Sequence, residues 1–110
     1  MLKSDLNLIL IKPSKYDDDG YVVHHLRGVL PSNTLSTLNA LFQAAAKTID
    51  KKINLCVIDE TVGVVRAKKV MQRHSQEDVP TLVCLVGVQT NQFPRATDLA
   101  VQFHELGAQV

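Results

Sequence analysis

Cysteine is scarce. The chain holds two, Cys56 and Cys84, each inside an apolar run and not spaced as Cys-x-x-Cys. That argues against a disulfide framework and for two buried thiols in a reducing compartment. Uninterrupted apolar stretches are short as well: none approaches the roughly 18 residues of a membrane span, and no basic-then-apolar leader opens the chain. The expected location is therefore the cytoplasm. Neither sign of charge dominates, since twelve basic and eleven acidic residues leave a net +1. This is neither the basic footprint of a nucleic-acid binder nor an acidic tail. At 110 residues there is no room for a second domain, but a chain of this length buries roughly two-thirds of its unfolded surface, enough for one core without staples. Internal repeats, linkers and low-complexity tracts are missing.

Catalytic signatures are missing too. No Gly-x-Gly-x-x-Gly and no Gly-x-x-x-x-Gly-Lys-Ser/Thr occurs, which removes the usual dinucleotide and P-loop sites. Ser14, Ser32, Ser36 and Ser75 have no nucleophile-elbow context, and both cysteines fall in mid-strand. His24 and His25 are adjacent, so their side chains diverge in an extended segment, and His74 and His104 fall on helices. No catalytic residue and no metal ligand set is expected, and the chain reads as a binding module rather than an enzyme.

What is present is a regular alternation. "LNLILI" (Leu6 to Ile11) is almost continuously apolar, as in a central strand covered on both faces, and Pro13 ends it. From Thr34 the residues Leu35, Leu38, Leu41, Phe42, Ala45 and Ile49 recur at helical spacing, with Ser32 or Asn33 placed to accept from the first free amides. "INLCVID" (Ile53 to Asp59) repeats the strand signature and is followed by a polar "ET". The segment from Gly63 to Ser75 sets Val64, Ala67, Val70 and Met71 against Arg66, Lys68, Lys69 and Arg73, the pattern of a surface helix. "TLVCLVGV" (Thr81 to Val88) reads as a third strand. Pro94 opens a last helix with Ala96, Leu99, Ala100, Phe103 and Leu106 on one face, and Gly107 stops it. "AQV" then resembles the start of a fourth strand. The order β-α-β-α-β-α implies an α/β open parallel sheet with right-handed crossovers, three strands in the order 2-1-3 and three helices.

Ligands of such sheets lodge outside the carboxyl ends of the strands, at the point where successive connections leave in opposite directions. Here that point falls between the first and third strands, where two unusual loops open: "KPSKYDDDG…PSNT", at about twenty residues far longer than the usual two to six, and the polar "QTNQFP". For Asp17, Asp18, Asp19 and Gly20 three readings compete. A metal site is disfavoured because adjacent carboxylates converge poorly on one ion and no EF-hand spacing follows. A solvated acidic turn closed by Gly20 is the plain alternative. The reading preferred here is the floor of a ligand crevice. Gln89, Thr90, Asn91, Gln92 and Phe93 precede a helix start, where free backbone donors favour an acceptor-rich group, though simple capping by Thr90 or Asn91 would also use them.

Three segments taken together, "KPSKYDDDGYVV", "VLPSNTL" and "LVGVQTNQFPRATDLA", resemble the amino-terminal cobalamin-binding domain of radical S-adenosylmethionine proteins, over essentially the whole chain. The resemblance implies a flavodoxin-like (Rossmann-like) fold that holds a corrin against the carboxyl edge of the sheet. It implies cofactor contacts at Asp17 to Gly20 as pocket floor, at Ser32 and Asn33 as helix-start donors, and at Gln89 to Phe93 as the opposing wall. The chain departs from that pattern at three places. Of an Asp-x-His-x-x-Gly cobalt-ligand signature only His25-x-x-Gly28 stands, with Val23 in place of the aspartate that would orient the imidazole. A Cys-x-x-x-Cys-x-x-Cys cluster motif is absent. Relatives continue past the position of Val110, so the resemblance implies that roughly the last two-fifths of a five-stranded domain is missing. A three-stranded sheet would leave the third strand as an open edge of strong β propensity, and the partner expected there is a second copy, giving a six-stranded sheet across a two-fold axis.

Overall fold

The computed structural model describes residues 3–24 and 33–110. Strand β1 (Leu6–Lys12) is the centre of the molecule: Leu8, Ile9, Leu10 and Ile11 are all wholly buried. Because successive strand side chains point to opposite faces, full burial requires cover on both sides. Each of these side chains contributes about 1.5–3 kcal/mol relative to exposure. Strand β2 (Ile53–Asp59) pairs with β1 in parallel from Leu6 opposite Ile53 to Lys12 opposite Asp59, and β3 (Thr81–Leu85) pairs in parallel on the other side, from Asn7 opposite Thr81 to Ile11 opposite Leu85. The order is β2-β1-β3: an open, flavodoxin-like arrangement with alternating strands and helices.

Helix α1 (Asn33–Thr48) covers one face, where Leu35 joins Leu8 and Leu10, with Leu38, Phe42, Ile53 and Leu55 around them. Helices α2 (Ala67–His74) and α3 (Phe93–Glu105) cover the other, where Val70, Leu99 and Phe103 pack on Ile9, Ile11 and Val83. Sequence spacing put Leu41, Ala45 and Ile49 on the buried face of α1, but all three are exposed and Ala46 is buried instead. The buried stripe is narrower than the apolar one because α1 meets β1 and β2 and leaves the α1 side of β3 half covered, at Leu82, Cys84 and Val86.

Two elements are shorter than their sequence patterns. β3 stops at Leu85 rather than Val88, because Gly87 adopts a left-handed φ of 65° that turns the chain out of the sheet. α2 begins at Ala67 rather than Gly63, because Val65 is held by other parts of the chain, as described below. The closing fragment does form a fourth-strand contact: Gln109 bridges Leu82 in parallel, its N–H donating to Thr81 O (2.9 Å) and its carbonyl accepting from Val83 N–H (2.7 Å). The outer side of β3 is therefore not bare, as the sequence suggested, but occupied over its first half.

At the amino edge Asn7 is fully buried within β1, yet fully employed. Its Nδ2 lies 3.0–3.2 Å from Ser75 Oγ, Gln76 O, Val79 O and Thr81 Oγ1, and its Oδ1 accepts from Gln76 N–H and Asn54 Nδ2. This ties the α2–β3 connection under the sheet, since a buried amide left without partners would cost about 1–3 kcal/mol. Among the described residues no helix is long and apolar enough to cross a membrane.

Candidate functional site at the carboxyl edge of the sheet

The acidic stretch after β1 is a hairpin. Asp17 N–H donates to Tyr21 O (2.8 Å), Gly20 N–H to Asp17 O (3.1 Å) and Val23 N–H to Lys15 O (2.9 Å), while Tyr16 and Val22 form an antiparallel bridge. Gly20 sits at φ 85°, a conformation that glycine enters without penalty. Asp17 Oδ1 accepts from the N–H groups of Asp19 and Tyr21, both at 2.9 Å, so this carboxylate holds the turn together. Asp18, Asp19 and Gly20 are exposed, as is Tyr21 at 73%. Among the described residues no group of three or more His, Cys, Asp or Glu side chains is placed to hold a metal ion.

The stretch after β3 is a single 3-10 turn (Thr90–Gln92) running directly into α3. Its cap is built by Gln89 and Gln92, not by Thr90 or Asn91. Gln89 N–H donates to Gln92 Oε1 (2.8 Å), and Gln92 N–H donates to the Gln89 backbone carbonyl (2.9 Å). Gln92 Nε2 then donates to Pro13 O (3.0 Å), joining this turn to the loop after β1. Thr90, Asn91 and Phe93 are exposed, Phe93 at 65%. Asn33 is the exposed first residue of α1. Ser32, together with His25, lies outside the described residues.

What fastens these loops was not anticipated from the sequence. Glu60, in the connection after β2, has no exposed surface, and Arg95, in the first turn of α3, is 6% exposed. Arg95 Nε lies 3.0 and 3.2 Å from the two carboxylate oxygens and Nη2 lies 2.8 Å from Oε2, a two-pronged pair. Glu60 Oε1 also accepts from Ser14 N–H (3.1 Å) and Oε2 from Val65 N–H (2.9 Å), while Arg95 Nη2 donates to Val65 O (3.1 Å). Both polar groups of Val65 are thus taken by this pair, which delays the start of α2. Arg95 Nη1 reaches Tyr16 OH (3.3 Å), the guanidinium stands 5.7 Å from the Tyr16 ring centre, and Tyr16 OH donates to Asp98.

The Glu60 carboxylate holds the Arg95 guanidinium even more firmly protonated than usual. Burial, reinforced by the bond to Asp98 and opposed by Arg95, pushes the Tyr16 phenol up. Both oxygens of Glu60 are saturated and enclosed, so the pair positions loops and does no proton transfer. Its signal in the sequence was slight: a glutamate immediately behind an apolar strand and an arginine just inside a proline-led helix, 35 residues apart.

Two of the singled-out segments therefore do meet. "YDDDGY" and "QTNQFPRA" lie side by side, linked by Gln92 to Pro13 and by Tyr16 to Arg95 and Asp98. Within them the roles divide: Asp17 and Gln92 spend their side chains on the loops themselves, whereas Asp18, Asp19, Thr90, Asn91 and Phe93 face solvent. No known family, curated protein or solved structure matches this chain at a significant level. The site must be read from its own geometry.

Proposed function

We propose that the chain is a ligand-binding module whose site is the carboxyl edge of the sheet between the connections after β1 and β3, and that the ligand is a corrinoid. The observation that carries this reading is the fastening of those two connections to each other at the switch point of the sheet, with their remaining polar side chains and two aromatic rings, Tyr21 and Phe93, turned to solvent. The donor set suits a large ring fringed with amides. Asp18 and Asp19 accept, Thr90 and Asn91 both donate and accept, and an exposed ring offers an apolar plane. Ser32 and Asn33 enter only through the resemblance of the sequence to cobalamin-binding domains. When bound, the corrinoid would supply its own cobalt chemistry, and this chain would hold and orient it. The test is titration with hydroxocobalamin in excess, followed by visible absorbance and backbone amide shifts. A spectral change with shifts confined to residues 15–24, 33–36 and 88–94 is expected. An unchanged spectrum and unchanged shifts would refute the assignment.

A second reading has its own support. Leu82, Cys84 and Val86 are half covered on the α1 side of β3, and beyond Thr81 and Val83 no described backbone bond reaches the outer side of that strand. A second copy pairing there would extend the sheet and cover this strip, with the Gln109 bridge displaced or the pairing shifted toward Leu85. Sedimentation velocity over a concentration series decides it: a monomer throughout at micromolar concentration removes this reading.

A further inference from the structure

The opposite edge of the sheet carries a different feature. β2 is an edge strand whose bonds run to β1, with Glu60 N–H donating to Lys12 O (3.0 Å) at its end. A parallel ladder uses alternate residues, so Ile53, Leu55 and Val57 turn their N–H and C=O groups outward, where no described backbone bond meets them. Among the described residues this edge has none of the usual protections. Its sequence contains no lysine and no proline, and its single acid, Asp59, is occupied at the strand's end by Thr61 N–H (3.0 Å) and Thr61 Oγ1 (2.6 Å).

On the α2 side a groove of about 350 Å³ is lined by Ile58 at the end of β2, by Val65 and Val70, and by Arg66, Lys69 and Arg73. Its lining runs from the start of α2 to its end and meets β2 at Ile58. The three cations are exposed, and among the described residues no carboxylate pairs with any of them. Lys69 and Arg73 stand four apart on one face of the helix and Arg66 is the extended residue that leads into it, so the three span roughly 10 Å. Alternate side chains of an extended chain fall about 7 Å apart on one face, so two or three successive same-face carboxylates reach these three flexible cations. Val57, Val62 and Val64 leave further apolar surface exposed at the same edge.

We infer that the outer edge of β2 and the basic face of α2 together receive an extended acidic segment of another polypeptide, which adds to the sheet as a fourth strand with alternating carboxylates over α2. The open backbone supplies affinity and the cations supply sequence preference. A folded helix or a nucleic acid would use the cations but leave the strand edge unpaired. This chain's own acidic run is no competitor, because Asp17 to Asp19 are bent into a closed hairpin.

The test uses the full chain and an end-blocked peptide of alternating glutamate and valine, with an alternating lysine and valine peptide and a single-stranded oligonucleotide as controls. The glutamate peptide is expected to shift the amide signals of Ile53 to Asp59 and of residues 63–74, and to bind more weakly as salt is raised. R66E/K69E/R73E is expected to weaken it by about tenfold or more. Val57→Pro removes an outward N–H at an edge position that tolerates proline, and is expected to weaken binding while circular dichroism stays unchanged. Equal binding of the lysine peptide, an oligonucleotide that competes without moving the β2 amides, or shifts confined to other surfaces would each overturn the inference. None of these readouts involves the loops after β1 and β3, so the corrinoid proposal stands or falls separately.

Discussion

Replacing Arg95 by methionine is the sharpest probe of how the carboxyl edge is held. In the native chain the Glu60 carboxylate receives four donors: Ser14 N–H, Val65 N–H, and Arg95 Nε and Nη2. Methionine fills much of the arginine volume but removes two of those donors and the one cation that pairs with Glu60 among the described residues, leaving a charge with no exposed surface. Breaking a buried pair on one side costs about 3–5 kcal/mol, a large part of the roughly 5–15 kcal/mol that holds a domain of this size folded. At an m-value of about 1.5 kcal/mol/M the urea midpoint should fall by about 2–3 M. Removing both partners, as in E60L/R95M, is often neutral for an isolated buried pair. Here it would still leave Ser14 N–H and Val65 N–H without acceptors, at about 1–3 kcal/mol each, so the double variant should also be destabilised. Equilibrium urea unfolding by circular dichroism measures both. An R95M loss below about 1 kcal/mol, or a double variant as stable as the parent, would show that Glu60 does not fasten these loops.

Two further outcomes follow from local geometry and local charge. Asp50 adopts φ 54° just past α1, where Asp50 N–H bonds Lys47 O and Lys51 N–H bonds Ala46 O. Asp50→Gly should raise stability by about 0.5–1 kcal/mol in thermal or urea unfolding, because an L-residue is strained there, and a loss of stability would contradict that. Tyr16 should titrate above the ordinary value of about 10 in ultraviolet difference spectra recorded in a Y21F background, and Asp98→Asn should bring it down. Since the folded pKa is the higher one, this contribution to stability is complete below about pH 10 and is lost as the pH rises through the folded value. No change on Asp98→Asn would remove Asp98 as a cause.

The architecture was legible in the sequence because it rests on hydrophobic periodicity. "LNLILI" reads as a doubly covered strand, "INLCVID" matches β2 residue for residue, and Gly107 stops α3 at its left-handed position. The discrepancies arise where tertiary bonds override local pattern. Val64 falls in the apolar pattern of a helix from Gly63, but the Glu60–Arg95 pair takes the backbone of Val65, and Val86 to Val88 look like strand until Gly87 turns away. The acidic loop and the amide loop were rightly placed together, since their adjacency follows from strand order alone. Their internal chemistry was not legible. That Gln92 rather than Thr90 or Asn91 would cap the turn was one of several equivalent local choices, and that Tyr16 would serve Arg95 rather than a ligand depends on residues 79 positions apart. A buried charge has no signature in composition, and in the sequence Glu60 reads only as a polar residue after a strand.

The clasp around Glu60 also orders events during synthesis. Its donors come from Ser14, 46 residues earlier, and from Arg95, 35 residues later. Until α3 has left the ribosome the carboxylate lacks Arg95, and burying it without that partner is costly. Closure of the edge should therefore await α3, and fragments ending before Arg95 should leave the underside of these loops open to proteases.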